Sequence, residues 1–346
     1  EVQDTTPDER LEKSLRRFGI LPPYEGNTSE KQTLVQSKFT RRVNIIHGDV
    51  SLMKFGMTDE SYHTQSSDID FIIHAAAYMN RDQPYPAFVF PNVTGTEHVV
   101  MFSCTGKIKP IHYISTNSVF PDGNLDCSED ENIEHFDKKL IDGYSKSKWV
   151  AEQLIHIARK KAIPCVIYRL GNIAGDIDQG FWNHQNATLV VLEACAKYKV
   201  APDVDWNIEM TPVDFLADFI VRCTYTLSTT LGKTYNIIND KPLQSRLVYD
   251  WMNGHGYPLE IMHIKDWEKR ILDELKGEKN HGYTETNLQS LLELNHNDDF
   301  CSTLKTYKTA NFKEALTDFK LSYPYTDYML LQKYFEWLSQ HGDIVP

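Results

Sequence analysis

The chain has 346 residues, 41% of them hydrophobic and 24% charged, the composition of a globular protein large enough for a substantial core and two lobes. A net charge of -12 with no basic face standing out argues against a nucleic-acid partner but does not exclude a small anionic ligand, which needs only local positive groups. No signal peptide, lipidation motif or apolar run of spanning length is present, so the expectation is a cytoplasmic protein with no membrane partner.

In chain order, Asp8 to Phe18 reads as a charged helix with Leu11, Leu15 and Phe18 on one stripe, followed by a polar loop around Pro22 to Asn27. Val43 to His47 is a β-branched run closed by Gly48-Asp49, which predicts a buried strand ending in a turn. Ile69 to His74 predicts a second strand, followed by Ala75-Ala76-Ala77. Helical pattern runs from about Ala87 through Ser103, interrupted by Pro91. Ile111 to Thr116 predicts a third strand. After an acidic loop, Gly143 to Glu152 opens an amphipathic helix that reaches about Ala158, with Trp149, Leu154 and Ile157 available for packing. Cys165 to Leu170 predicts a fourth strand, ending at Gly171; Phe215 to about Tyr225 is helical and Thr234 to Asn239 strand-like. From Leu243 onward the pattern is mostly helical, with Trp251, Trp267, Ile271 and Leu275 as core stripes and a last helix near Tyr328 to Leu338. The six cysteines (Cys104, Cys127, Cys165, Cys195, Cys223, Cys301) show no zinc-like spacing, so no metal site is expected; Cys165 and Cys195 read as buried thiols in a reducing compartment. Strands separated by helical segments imply an α/β fold with right-handed crossovers, a parallel sheet, and ligands at the strands' C-terminal ends.

Several polar residues fall at those ends. Asp49, His74, Ser115 and Thr116 each finish or follow a β run and are placed to face one crevice; taken singly, each is as well explained as a turn or cap residue. Small Ala75-Ala76-Ala77 leave room for a flat cofactor, though alanine is also simply a good helix former. Tyr144 and Lys148 are one helical turn apart and project from the same face. A phenol beside an ammonium group favours phenolate, which suits protonation of an oxygen that gains negative charge as a carbonyl is reduced. Thr116 adds a hydroxyl for the developing oxyanion. Tyr-x-x-x-Lys is also a common spacing on exposed helices, so its surroundings decide.

The series His47-Gly48-Asp49, His74-Ala75-Ala76-Ala77, Asn92-Val93-Thr94-Gly95-Thr96, Ser115-Thr116-x-Ser118-Val119, Tyr144-x-x-x-Lys148 and Tyr168 to Gly175 resembles the extended short-chain dehydrogenase/reductase superfamily. Phe181-Trp182-Asn183, and above all Ala201-Pro202-Asp203-Val204-Asp205-Trp206-x-x-x-Met210-Thr211-Pro212-Val213-Asp214, narrow the resemblance to thioester reductase domains. Such domains belong to nonribosomal peptide and polyketide synthases, aminoadipate reductases and carboxylic acid reductases. The resemblance implies a Rossmann-like doubly wound sheet in residues 1–239, with a substrate-side insertion over about 176–210, and a smaller, mostly helical substrate lobe in 240–346. It implies a catalytic set of Thr116, Tyr144 and Lys148, with NADPH as cofactor. Asp49 would approach the adenine, His74, Ala75, Ala76 and Ser115 would line the cofactor, and Asn92 would be structural or part of a proton relay. Leu170, Gly171, Asn172 and Ile173 would flank the nicotinamide. Trp182, Asn183 and Met210 would meet the substrate, within a substrate-side segment from Gly180 to Asp205. The implied partner is a phosphopantetheinylated carrier protein, whose acyl or peptidyl thioester is reduced to an aldehyde, or to an alcohol after a second hydride.

The family also opens with a strand, a T-G-x-x-G-x-x-G turn that seats the pyrophosphate, and a second strand ending in a basic residue for the 2′-phosphate. No such glycine loop occurs here; all 17 glycines are dispersed. The expectation is a piece of a longer synthase, starting after the family's second strand, that binds NADPH poorly by itself. Two alternatives share some of these features: a sugar-nucleotide epimerase or dehydratase, which uses Thr-Tyr-Lys with bound NAD, and a cofactor-deficient relative kept for carrier docking. The Trp206 to Pro212 segment speaks against the first, and intact Thr116, Tyr144 and Lys148 against the second.

Overall fold

The computed structural model describes residues 6–17, 20–21, 39, 41–80, 83–123, 126–183, 186–277, 288, 305–341 and 344. Four parallel strands form the frame, β1 (Ile72–His74), β2 (Ile111–Thr116), β3 (Cys165–Leu170) and β4 (Thr234–Ile237), side by side in that order. Thr116 pairs with Leu170, and Leu170 with Ile237, so three strands stop level with one another. β3 is buried along its whole length, as a central strand covered on both faces must be, which explains its unbroken Val-Ile-Tyr run.

The helices are α1 (Pro7–Arg17), α2 (Asp59–Asp68), α3 (Gly95–Cys104), α4 (Gly143–Lys160), α5 (Ala187–Tyr198), α6 (Val213–Tyr225), α7 (Ser245–Gly254), α8 (Ile264–Gly277), α9 (Ala310–Asp318) and α10 (Tyr328–His341). α4 begins where Asp142 caps it, its carboxylate accepting from the Ser145 N–H at 2.8 Å. Its buried stripe is Lys148, Ala151, Glu152, Ile155 and Ala158, whereas Ile157, expected inside, is half exposed. At Pro91 the α-helical pattern is interrupted as expected: a π-helical turn over Val89–Thr94 lies between the short helix Pro86–Phe88 and α3 and accommodates the missing N–H.

Residues 43–47, expected as a buried strand, belong to no strand and are largely exposed, with Val43 at 44% and Ile46 at 39%. A β-branched run becomes a strand only beside a ladder partner; none meets this one among the described residues, where β1 is an edge. The loop of residues 22–27 lies outside the described residues.

Strand alternation gives two cores. Ile111, Tyr113 and Ile167 pack with Val99, Ala151 and Ile155 on one face. Tyr168, Leu170, Tyr235 and Ile237 pack with Phe215, Phe219 and Phe312 on the other. A third cluster, the second lobe, gathers Trp182, Leu189, Met210, Val248, Tyr249, Trp267, Tyr334 and Leu338. α5, inside the stretch expected as a substrate-side insertion, belongs to this cluster, and α9 packs through Phe312 against the sheet. Hydrophobic burial drives side chains to the nearest unfilled face, whatever their order along the chain.

Cys165, Cys195 and Cys223 are buried free thiols, Cys127 is buried, and Cys104 is exposed. Burial pushes the Cys165 thiol up to about 11. Cys301 lies outside the described residues. Among the described residues, no helix is long and apolar enough to cross a membrane, and no group of three or more His, Cys, Asp or Glu could hold a metal ion.

Candidate active site

The first turn of α4 is pressed against the chain that follows β1. A Cβ on Gly143 would sit 2.5 Å from the Tyr85 nitrogen and 2.8 Å from the Gln83 carbonyl, so only glycine lets the helix begin there. Tyr144, half-buried, meets Phe88 edge-on at 6.2 Å between ring centroids. One turn on, Lys148 is buried; its Nζ donates to the Ile114 carbonyl at 2.8 Å and lies 4.4 Å from the centre of the Tyr113 ring. Burial pushes this ammonium down to about 8, opposed by the negative charge of Glu152.

Glu152 forms the floor beneath Lys148. It is fully buried and accepts from Arg169 Nε at 2.9 Å, Arg169 Nη2 at 2.7 Å and Ser115 Oγ at 2.5 Å. Burial alone would raise this carboxyl; the Arg169 guanidinium overrides it and, with help from His156, holds the group at about 2. Arg169, itself buried, donates to the Ser128 carbonyl at 3.0 Å and lies over the Phe120 ring at 4.8 Å.

This arrangement separates two residues that the sequence placed in one crevice. Ser115 turns inward to Glu152 and is buried, so its side chain does not line an open cofactor site. Successive strand residues point to opposite faces, and Thr116 takes the other side. Thr116 is half-buried and caps the turn Asn117–Val119, its oxygen accepting from the Ser118 N–H at 3.2 Å; α4 packs against that turn. His74 is likewise withdrawn, with Nε2 3.0 Å from Thr96 Oγ1, and burial pushes it down to about 3, which keeps it neutral.

Asn92 has its polar atoms committed within the protein. Oδ1 accepts from the Tyr78 N–H at 2.7 Å, and Nδ2 donates to the Tyr78 carbonyl at 3.0 Å and to Ser147 Oγ on α4 at 2.9 Å. It thus ties the loop after β1 to the helix of Tyr144 and Lys148. In that loop Ala75, Ala76 and Ala77 are exposed and form an open ledge at the end of the sheet. Asp49 is exposed too; one carboxylate oxygen accepts from the Ser51 N–H and hydroxyl at 2.8 and 2.7 Å, which lowers its pKa.

The turn after β3 is braced from several sides. The Gly171 N–H donates to the Ile237 carbonyl at 3.0 Å. The Asn172 side chain donates to Thr188 Oγ1 at 3.1 Å and to the Glu209 carbonyl at 2.8 Å, and accepts from Asn186 Nδ2 at 2.7 Å. Trp182 donates to the Ile173 carbonyl at 3.2 Å and is fully buried against Tyr334, with ring centroids 4.9 Å apart. Trp182 and Met210, expected to meet substrate, are therefore core residues in the second lobe: a large apolar side chain gains more by filling that core than by facing water. Asn183 is exposed.

Glu209 is the site residue that the sequence reading passed over. Its carboxylate accepts from the Asn172 N–H, from Thr211 Oγ1 at 2.8 Å and from the Asn239 N–H at 3.0 Å. Burial pushes it up to about 7 against these neutral donors. It lies between Trp206 and Met210, with no pattern to mark it. Glu152 and Arg169 did leave a signal. A charged residue inside an apolar strand needs a buried partner, and Glu152 lies one turn from Lys148.

The ledge of Ala75 to Ala77, the turn at Gly171 and the first turn of α4 all lie at the C-terminal end of the sheet. A pyrophosphate-seating glycine turn occurs nowhere in the 346 residues. The sequence model of an NAD-binding family described as "Male sterility protein" matches residues 2–220. The glycine betaine reductase of Emericella nidulans is 33% identical over 231 residues, 65% of this chain and 18% of that protein, so the chain spans less than a fifth of this relative's length. Among solved structures, the terminal R domain from the myxalamid PKS-NRPS biosynthetic pathway matches with a TM-score of 0.83 at 26% identity, covering 98% of this chain and 82% of that one. A thiolation-reductase di-domain from an archaeal nonribosomal peptide synthetase shares the fold, with a TM-score of 0.72 at 19% identity over 98% of this chain and 68% of that one.

Proposed function

The chain belongs to the NAD-binding "Male sterility protein" family, and from that premise we propose that it reduces a carrier-bound acyl or peptidyl thioester to an aldehyde at the expense of NADPH. The observation that carries this reading is the first turn of α4, where Tyr144 stands half-exposed one turn from a buried ammonium at the end of a parallel sheet. The family supports a nicotinamide cofactor; NADPH, the carrier protein and its pantetheine arm belong to the proposal, supported by the resemblance to R domains.

When bound, the cofactor supplies a hydride for the thioester carbonyl. Tyr144 donates the proton to the oxygen that becomes negative, and Thr116 donates a hydrogen bond to it. Lys148, held by the Ile114 carbonyl, keeps a positive charge behind Tyr144 and so favours loss of its proton. Collapse of the resulting hemithioacetal releases the aldehyde and the carrier thiol. Ala75, Ala76 and the turn from Leu170 to Ile173 would hold the nicotinamide end of the cofactor, with Asp49 towards the adenine.

The test is Tyr144→Phe, assayed by NADPH oxidation with an acyl thioester on its carrier protein in the natural full-length protein. Loss of a general acid typically costs on the order of 10²–10⁴ in rate, and that loss is expected with the melting temperature unchanged. Turnover close to wild type would overturn the assignment. Matched substrates sharpen it: the carrier-loaded chain should react with a much higher kcat/KM than the same acyl group on a short thiol, because tethering raises effective concentration.

A further inference from the structure

We propose that Glu209 is a positioning residue for the proposed reaction, clasping the turn Leu170–Ile173 to the sheet end and to the second lobe so that this turn presents a fixed wall to the nicotinamide. The inference rests on the reading above, in which that turn flanks the cofactor. The geometry behind it involves three separate stretches of chain. One carboxylate oxygen takes the Asn172 N–H; the other takes the Asn239 N–H just beyond β4 at 3.0 Å and the Thr211 hydroxyl at 2.8 Å. The Glu209 backbone carbonyl accepts from Asn172 Nδ2 at 2.8 Å, so main chain and side chain grip the same residue. Thr211 Oγ1 is 2.6 Å from the Tyr323 hydroxyl, and Asn239 Nδ2 donates to Thr326 Oγ1 at 2.7 Å. The clasp thereby reaches the segment that leads into α10. Gly171 makes room for it, because a Cβ there would lie 2.6 Å from Glu209 Oε2.

A carboxylate is an expensive way to fill this position. Its hydrogen-bond partners among the described residues, two backbone N–H groups and a hydroxyl, are neutral, so none of them offsets the desolvation of its charge. What it offers over an amide is acceptance at both oxygens. Two backbone N–H groups from different elements converge on it, and a carboxyl group, with lone pairs on both oxygens, satisfies both where an amide cannot. In Glu209→Gln, either orientation of the amide sets an N–H against the Asn172 or the Asn239 N–H. That releases one anchor of the turn while leaving the side chain's volume unchanged.

The experiment compares wild type, Glu209→Gln, Gly171→Ala and the pair Gly171→Ala/Glu209→Asp in the natural full-length protein. It records melting temperature, NADPH affinity by calorimetry, and kcat and KM on a carrier-bound thioester. A lost hydrogen bond to a charged group is worth roughly tenfold in an equilibrium or rate constant. Glu209→Gln is therefore expected to weaken NADPH binding or lower kcat about tenfold per folded molecule, with thioester KM within about twofold of wild type. Gly171→Ala should do the same by displacing the carboxylate. Shortening it in the pair should restore most of the loss, since Asp withdraws the group from the added methyl. A lowered melting temperature with unchanged NADPH affinity, kcat and KM would overturn the proposal, as would a pair whose defects simply add. Calorimetry separates this from the reductase reading. If thioester reduction fails in wild type while NADPH binds and Glu209→Gln weakens it, the activity is wrong and the clasp stands.

Discussion

Glu152, fully buried, and Glu209, half-buried, are two carboxylates near the same end of the sheet, and their surroundings treat them oppositely. Glu152 meets a guanidinium through two hydrogen bonds and is held at about 2. Glu209 meets backbone N–H groups and a hydroxyl, and burial leaves it at about 7. Both have their acceptors occupied, so hydrogen-bond satisfaction does not distinguish them. The difference is a full positive charge: dipoles satisfy lone pairs, but only a cation compensates the Born cost of burying an anion. The region beneath Lys148 is accordingly a fixed electrostatic floor. The clasp at Glu209 is a marginal site where the charge itself is negotiable.

The sharpest way to break this contrast is to take the cation from the first site. Arg169→Met leaves Glu152 buried without its partner, and such half-removed pairs cost roughly 3–5 kcal/mol. Urea unfolding should show a loss of that size; a change below about 1 kcal/mol would mean that Glu152 is compensated elsewhere.

A smaller effect should appear as opposite slopes of stability with pH. Glu152, lowered from 4.5 to about 2, contributes stability that is present above 4.5 and lost as pH falls towards 2. Glu209, raised from 4.5 to about 7, contributes stability that is present below 4.5 and lost as pH rises through 7. Melting curves should therefore show the gap between wild type and Glu209→Gln moving in the variant's favour by a few degrees, at roughly 2–4 °C per kcal/mol, between about pH 5 and about pH 8. Wild type should keep its advantage over Glu152→Gln across that interval and lose it only in acid. Parallel slopes for the two variants would erase the distinction.

The smallest expected effect is on rate. With Lys148 lowered from 10.5 to about 8, the ammonium that supports Tyr144 is lost as pH rises through that value, and turnover should fall about tenfold per pH unit beyond it. Lys148→Arg keeps its charge, so whatever rate it retains should lack this limb. A flat wild-type profile to pH 10 would show that the lysine is not required in its charged form.

The exposed alanines and the buried tryptophan show where pattern and structure part. Local chemistry sufficed for β2, β3 and α4, because a long apolar run or a capped 3.6-residue period has one low-energy solution wherever it lies. That same periodicity put Tyr144 and Lys148 on one face. The resemblance rested on motifs of this kind, and the family match over residues 2–220 agrees with it. What the sequence left open depends on partners distant in the chain. Val43 to His47 has the residues of a strand and no ladder partner among the described residues; Ser115 has the position of a site residue and a buried glutamate to bind instead. Trp182 carries an aromatic ring that either surface or core would accept, and Tyr334, far along the chain, settled it as core. Glu209 had no local signature at all. Its role depends on Asn172, Thr211 and Asn239 converging on one carboxylate, and such convergence arises only when the sheet end and the second lobe are folded together. Short-range periodicity fixes elements because each is stabilised along its own backbone, whereas a buried charge acquires its pKa and its function from whatever the tertiary fold sets against it.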